Sequence, residues 1–386
     1  MKRITGGSFL VIGTTIGAGM LSLPLITAAC GLYLSVVLLI MSWSVMYFTS
    51  LKLINICEKH PIGINYTSLI KKKMPRTFQV LFTIFYLLLL YALMSAYTTQ
   101  GASLIHIFDP NQNKAIIIDT AIFIIIFGAI VLSTSLSDYV NRSFVSIKLV
   151  FYLLYIVCMV FYINHNNVNS KLTSFDAIIF AWPTLLPSFG FQNIIPVLYE
   201  YQNGDTKAVK KSILIGSITV LIIYIVWIFA CLGTLPQSQY AEIYKNGNTL
   251  NLLIQNISNS TQNSFIKTLL SVFINISVIT SFICVGLSLY HYIKDTFKRF
   301  KITINKITGY LLTYTPPFIF TVFYPKGFIL ALQYAAIFTV VIFIYTPIYL
   351  DDNEKKLATT IYPILLGTLV IIAQIMNLIG YVHPFL

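Results

Sequence analysis

Apolar runs of about 20 residues, the length that crosses a bilayer's hydrocarbon core, recur near 5–29, 31–57, 77–104, 115–135, 144–164, 176–199, 212–235, 267–293, 306–324, 327–350 and 359–380. That succession predicts an all-α integral membrane protein with eleven transmembrane helices. Composition agrees: 57% of residues are hydrophobic and 10% charged, whereas soluble domains run near half and about a quarter. The whole chain, 1–386, reads as one transmembrane domain.

The net charge of +13 suits a nucleic-acid binder only if the basic residues gather in one domain, and here they are spread over short loops. Their sidedness is that of an orientation signal. Lys114, Lys171, Lys245, Lys267 and Lys326 fall on one side, with Lys52 left over at the end of span 2. The rest fall on the other, led by Lys59, Lys71, Lys72, Lys73 and Arg76, then Lys207, Lys210 and Lys211, then Lys294, Lys298, Arg299, Lys301 and Lys306. The rule places the N-terminus in the cytoplasm and, with an odd span count, the C-terminus outside. Met1-Lys2-Arg3 before an apolar run and Thr27-Ala28-Ala29-Cys30 superficially suggest a cleaved leader, but the run is too long for a signal core and ten more come after it. Cys30, Cys57, Cys158, Cys231 and Cys284 are odd in number and lack CxxC spacing, so they read as small core residues rather than disulfides or metal ligands.

Two runs are interrupted. Gly13-Thr14-Thr15-Ile16-Gly17-Ala18-Gly19 sits inside span 1, where glycines weaken a helix. Trp182-Pro183-Thr184-Leu185-Leu186-Pro187-Ser188-Phe189-Gly190-Phe191-Gln192-Asn193 breaks span 6. Spans 1 to 5 (5–164) and 6 to 10 (176–350) are of nearly equal length, and each set begins with its broken span. This matches an inverted five-plus-five repeat, with the helix at 359–380 as an appendage. The segment from Pro236 to Thr261, rich in Asn, Ser and Gln, reads as a surface loop or a short interfacial helix.

Unwound backbone at membrane depth persists where it lines a cavity, and the exposed half-helix ends carry partial charge. A zwitterion fits that arrangement. Its carboxylate would meet the amides around Ile16, Gly17, Ala18 and Gly19, and its ammonium the carbonyls near Thr14, Ser188 and Phe189, with Thr15 a further substrate-binding candidate in the same run. Gly17, Gly19 and Gly190 would let the ligand approach the backbone, although Gly13 and Gly17 also fit a small-xxx-small packing pattern. The side-chain pocket is expected from Tyr91 and Ser95 on span 3, Phe189, Phe191 and Gln192 on span 6, and Thr280, Ser281 and Phe282 on span 8, where rings stack on an aromatic ligand. All twelve acidic residues fall near span ends or in loops, leaving Lys148, on span 5, as the first candidate for proton coupling. Glu200 and His291 rank after it. No metal or cofactor is expected, and no nucleophile, acid/base or metal cluster of an enzyme converges in the spans.

The stretch from Gly7-Ser8 through Gly13-Thr14-Thr15-Ile16-Gly17-Ala18-Gly19-Met20-Leu21-Ser22-Leu23-Pro24 resembles the first span of the bacterial aromatic (hydroxy/aromatic) amino acid permease family, most of all its tyrosine-specific members. Further agreement lies in Ala96-Tyr97 with Gly101, Ser188-Phe189-Gly190-Phe191-Gln192 with Ile195-Pro196, Asn203-Gly204-Asp205 with Lys210-Lys211-Ser212 and Gly216-Ser217, and Thr280-Ser281-Phe282 with Gly286. Cys284, where a glycine is usual, and His291 in Tyr290-His291-Tyr292, where an acidic residue is usual, depart from the pattern. The resemblance implies the leucine-transporter fold and proton-driven import of tyrosine, or of tryptophan, across a bacterial inner membrane by alternating access. Permeases for serine, threonine or other neutral amino acids, a sodium-coupled mechanism and a non-transporting amino-acid sensor are the competing readings; the oligomeric state is left open.

Overall fold

The computed structural model describes residues 2–62, 66–106, 115–247, 249–299, 301–351 and 357–385, and among them it is helical throughout, without strands. In chain order the α-helices are α1 (Lys2–Thr15), α2 (Leu23–Thr27), α3 (Gly31–Glu58), α4 (Tyr66–Lys73), α5 (Arg76–His106), α6 (Ala115–Val131), α7 (Thr134–Met159), α8 (His165–Val168) and α9 (Phe175–Leu185). They continue with α10 (Ile195–Tyr201), α11 (Thr206–Thr234), α12 (Gln237–Lys245), α13 (Leu250–Thr261), α14 (Ser264–Arg299), α15 (Lys306–Phe323), α16 (Phe328–Thr339), α17 (Thr346–Leu350) and α18 (Tyr362–Ile379). Lys114 lies outside the described residues.

Among the described residues, eight helical stretches are long and apolar enough to cross a membrane, and Ile116–Val131 is a shorter apolar helix. This makes the protein a multi-pass membrane protein. The first such stretch runs from Ala18 to Glu58 because the interruption near Gly17 separates α1, only 14 residues long, from the helical turns at Ala18–Ser22 and beyond. Helix α15 falls outside the eight because Lys306, Pro316-Pro317 and several hydroxyl residues dilute its apolar content.

The chain forms two compact units. Unit one contains Met1–Tyr86, Lys171–Phe229 and Ala336–Leu386; unit two contains Leu87–Ser170 and Ala230–Ala335. In unit one, α9 packs against α18 and α2, while α3 receives α10, α17 and α18. Helix α1 is fastened to the start of α11: Ser8 Oγ donates to Ser212 O (3.2 Å), Ser212 Oγ donates to Ile4 O (3.0 Å) and Gln202 Nε2 donates to Ser212 Oγ (2.6 Å). A Cβ at Gly7 would sit 2.7 Å from Ser212 Oγ, and one at Gly216 would sit 2.9 Å from Ser8 O. Both positions therefore need hydrogen where α1 meets its neighbours. The turn ahead of α11 uses left-handed backbone at Asn203 (φ 55°) and Gly204 (φ 79°), after which Asp205 Oδ1 accepts the Ala208 N–H at 3.0 Å as an N-cap.

Unit two is built on α14, which lies along α7 and also touches α6, α13 and α15. Gly101 faces the Phe123 ring, and a Cβ at Gly286 would sit 2.8 Å from the Tyr314 hydroxyl; both leave room only for hydrogen. The segment expected as a loop or one short helix is two helices, α12 and α13. Leu250, Leu253, Ile254 and Ile257 share the buried stripe of α13 at helical spacing, and Tyr240 and Ile243 are buried in α12. Burial pushes the Tyr240 hydroxyl well above the ordinary phenol range. Cys284 is exposed and Cys158 half-buried, so the expectation of core cysteines holds only for Cys30, Cys57 and Cys231.

Candidate substrate site at two interrupted helices

Each break in unit one has a local cause. Helix α1 closes its last turn with the Ile16 N–H on Ile12 O (2.9 Å), then Gly17 turns extended (φ −133°, ψ −162°) and a 3₁₀ turn, Ala18–Ser22, begins. Gly13 lies inside α1 rather than in the break, and a Cβ there would meet nothing within 4 Å, so small-residue packing at Gly13 is not what the glycine serves. Helix α9 carries Pro183 internally and ends at Leu185; Pro187 then brings no N–H, and Ser188 Oγ donates to Thr184 O instead (3.2 Å). Gly190 (φ −77°, ψ 76°) is the centre of an inverse γ-turn closed by the Phe191 N–H on Phe189 O at 3.0 Å. Helix α10 restarts at Ile195 with Pro196 in its first turn, where no donor is needed.

The two breaks touch. A Cβ on Gly19 would lie 3.6 Å from Ser188 Cα, and Ser188 Oγ reaches Gly19 O at 3.4 Å, where Ser22 Oγ also donates (2.8 Å). Tyr224 of α11, fully buried, bridges them: its hydroxyl lies 2.8 Å from Thr15 O and 2.7 Å from Ser188 O, and its ring packs against Phe189 with centroids 5.0 Å apart. Thr15 ends α1 and Ser188 lies just past the end of α9, so the phenol joins the partially negative C-terminal ends of two half-helices. Sequence reasoning did not select Tyr224, one of 25 tyrosines.

The expected lining residues divide by unit. In unit one, Thr15, Ile16, Ala18, Ser188, Phe189, Phe191 and Gln192 are buried, Gly17, Gly19 and Gly190 half-buried, and Thr14 exposed with its hydroxyl turned back to Leu10 O and Val11 O. The Ile16 amide is already engaged with Ile12 O at the end of α1. Gln192 directs its amide nitrogen at Met46 O (3.1 Å) and Thr49 Oγ1 (3.3 Å) of α3, tying break two to that helix. Phe343 belongs to a π-helical stretch, Val340–Tyr345, and would lie 3.4 Å from a Cβ on Gly190. Wide turns of this kind concentrate at functional sites.

Tyr91, Ser95, Thr280, Ser281 and Phe282 belong to unit two. Tyr91 donates to Leu312 O (2.7 Å), and Thr280 donates to Ser277 O (3.0 Å). Phe282 is fully buried between Phe123 (4.7 Å) and Tyr314 (5.4 Å), a core position within that unit. Lys148 is 3% exposed, near the middle of α7, which begins ten residues before the predicted span because polar residues ahead of 144 still continue the helix. It is thus enclosed by protein rather than reaching for an interface. Glu200 and His291 are exposed.

Two carboxylates placed at span ends by the sequence are in fact buried. Asp119 is 4% exposed in α6. Asp351, directly after α17, pairs with Lys52 of α3 at 3.2 Å, the two side chains 0% and 5% exposed. Beside them Lys73 Nζ donates to Leu350 O at 2.9 Å.

A family model described as the tryptophan/tyrosine permease family matches residues 1–383. The chain belongs to the tryptophan/tyrosine permease family. This permease is similar to tyrosine-specific transport system 1 of Haemophilus influenzae, at 34% identity over 339 residues, covering 87% of this chain and 84% of that protein. It is also similar to the tryptophan-specific transport protein of the same organism, at 28% identity over 408 residues, covering 99% and 98%. The crystal structure of the Eremococcus coleocola manganese transporter, in complex with an aromatic bis-isothiourea substituted compound, covers 98% of this permease and 87% of its own chain with a TM-score of 0.62 and 14% identity. That likeness shows a shared fold. The permease is a transporter, not an enzyme.

Proposed function

We propose that this permease imports an aromatic amino acid, with tyrosine preferred, by proton symport and alternating access across a bacterial inner membrane. The observation that carries the reading is the meeting of two interrupted helices at Gly19 and Ser188, with Tyr224 across both. In this reading the amides of Gly17 to Gly19 receive the carboxylate, and the carbonyls at the ends of α1 and α9 receive the ammonium, each pole meeting backbone charge of opposite sign. The relative named for tyrosine, at 34% identity, supports tyrosine as substrate. Tryptophan is the second reading, supported by the relative named for it that matches along 99% of the chain.

The architecture we propose has eleven spans arranged as an inverted repeat (5–164 and 176–350) with one appended helix at 359–380, the N-terminus cytoplasmic and the C-terminus periplasmic. Lys148 is the proposed proton carrier. Its enclosure within α7 favours it over exposed Glu200 and His291. Labelled tyrosine uptake into proteoliposomes tests both parts. A proton gradient is expected to drive accumulation and a protonophore to abolish it; Lys148→Gln is expected to cut driven accumulation about tenfold or more while sparing tyrosine/tyrosine exchange. Sodium-dependent accumulation indifferent to the protonophore would refute the coupling, equal losses in both assays would refute the carrier role, and binding without flux would identify a sensor.

A further inference from the structure

Tyr224 carries one hydroxyl proton and faces two carbonyl oxygens, at 2.8 and 2.7 Å. A phenol donates once and accepts through its lone pairs. One proton cannot serve Thr15 O and Ser188 O together, so the three oxygens form a cluster rich in acceptors, set at the partially negative ends of α1 and α9. A group that brings several N–H donors and a positive charge completes such a cluster. The phenol is also held rigidly: Tyr224 is fully buried, its ring is packed against Phe189, and α11, which carries it, is fastened to α1 through Ser212.

We propose that Tyr224 is a positioning residue for the substrate's ammonium group. Its hydroxyl holds the Thr15 and Ser188 carbonyls in one register, donating to one while the incoming ammonium donates to the other and to the phenol oxygen. This rests on the reading that an amino acid's charged head sits at the two breaks. The division of labour has a consequence for affinity: Tyr224 acts on the amine end of the ligand and leaves the carboxylate end, held near Gly17 to Gly19, unaffected. Hydrogen bonds to charged groups are worth enough to shift affinity roughly tenfold.

The experiment compares tyrosine, tyramine and 3-(4-hydroxyphenyl)propionate as competitors of labelled tyrosine in the purified native protein and in Tyr224→Phe, with transport kinetics alongside. Phenylalanine keeps the ring against Phe189, so the fold is expected to persist. In the variant, tyrosine and tyramine are expected to weaken about tenfold, the amine-free acid to stay within about twofold, and KM to rise with maximal rate within about twofold of native. Equal weakening of all three ligands, as a purely structural role gives, or no change in any, would overturn the proposal. Where the variant does not reach the membrane, 3-fluorotyrosine at 224 preserves shape and strengthens the donor; it must change tyrosine binding and not that of the amine-free acid, and the reverse overturns the proposal. If the native protein binds the amine-free acid as tightly as tyrosine, the head-group reading itself fails, whatever Tyr224 does.

Discussion

Gly190→Leu is expected to reduce tyrosine uptake to background while the protein still reaches the membrane. A Cβ at position 190 would stand 3.0 Å from Pro187 O and 3.4 Å from Phe343 Cε2. The backbone angles there (φ −77°, ψ 76°) are open to any residue, so the demand is for space and not for conformational freedom. A branched side chain must push on the Pro187 carbonyl or on the π-helical stretch that holds Phe343, and it does so next to Ser188, the residue touching Gly19. Overpacking of this kind costs about 1–3 kcal/mol, which a large membrane protein survives, whereas a displacement of about 1 Å at a binding backbone does not spare recognition. Uptake and surface expression of the variant, measured in one strain, check this; uptake above half of native would show that the break tolerates bulk. Gly17→Leu is a milder companion, since its extended backbone imposes no strain of its own.

Asp351→Ala is expected to lower stability far more than Lys52→Met/Asp351→Leu, the double replacement. The pair is 3.2 Å apart with both side chains enclosed, and removing one partner strands the other charge at a cost of about 3–5 kcal/mol, while replacing both by apolar groups is often near neutral. Thermal unfolding of purified protein in one detergent gives the comparison. Single and double variants that melt together within a degree or two would mean that the charges are not coupled. Should the single variants also lose transport while the double regains it, the ion pair fastens α3 to the end of α17 for structural reasons alone.

How far the sequence carries depends on how local the cause is. The breaks were readable because glycines, Pro183 and Pro187 act within a few residues of themselves. The glycines that carry the resemblance, Gly7, Gly101, Gly216 and Gly286, were visible as a pattern, but their reason, close approach of Ser212, Phe123, Ser8 and Tyr314, exists only after folding. Tyr224 was unreadable: its hydroxyl partners lie 209 and 36 residues away, and no periodicity marks one tyrosine among many apolar neighbours. Lys52 stood out as a leftover charge in an apolar run, a usual sign of a functional or paired residue, yet Asp351, at the close of another run, gave no sign of being its partner. Hydropathy marked where the apolar stretch begins and not where the helix does, because Ser133 caps α7 well before it.

The central claim is that the two breaks in unit one together hold an amino acid's charged head. An experimental structure with bound L-tyrosine tests it most directly. The account predicts the ligand carboxylate within hydrogen-bond distance of the Gly17 to Gly19 amides and the ammonium within 3.2 Å, roughly the outer limit for such bonds, of Thr15 O, Ser188 O or the Tyr224 hydroxyl. Tyrosine bound with its head away from both breaks, or touching only one of them, would contradict it.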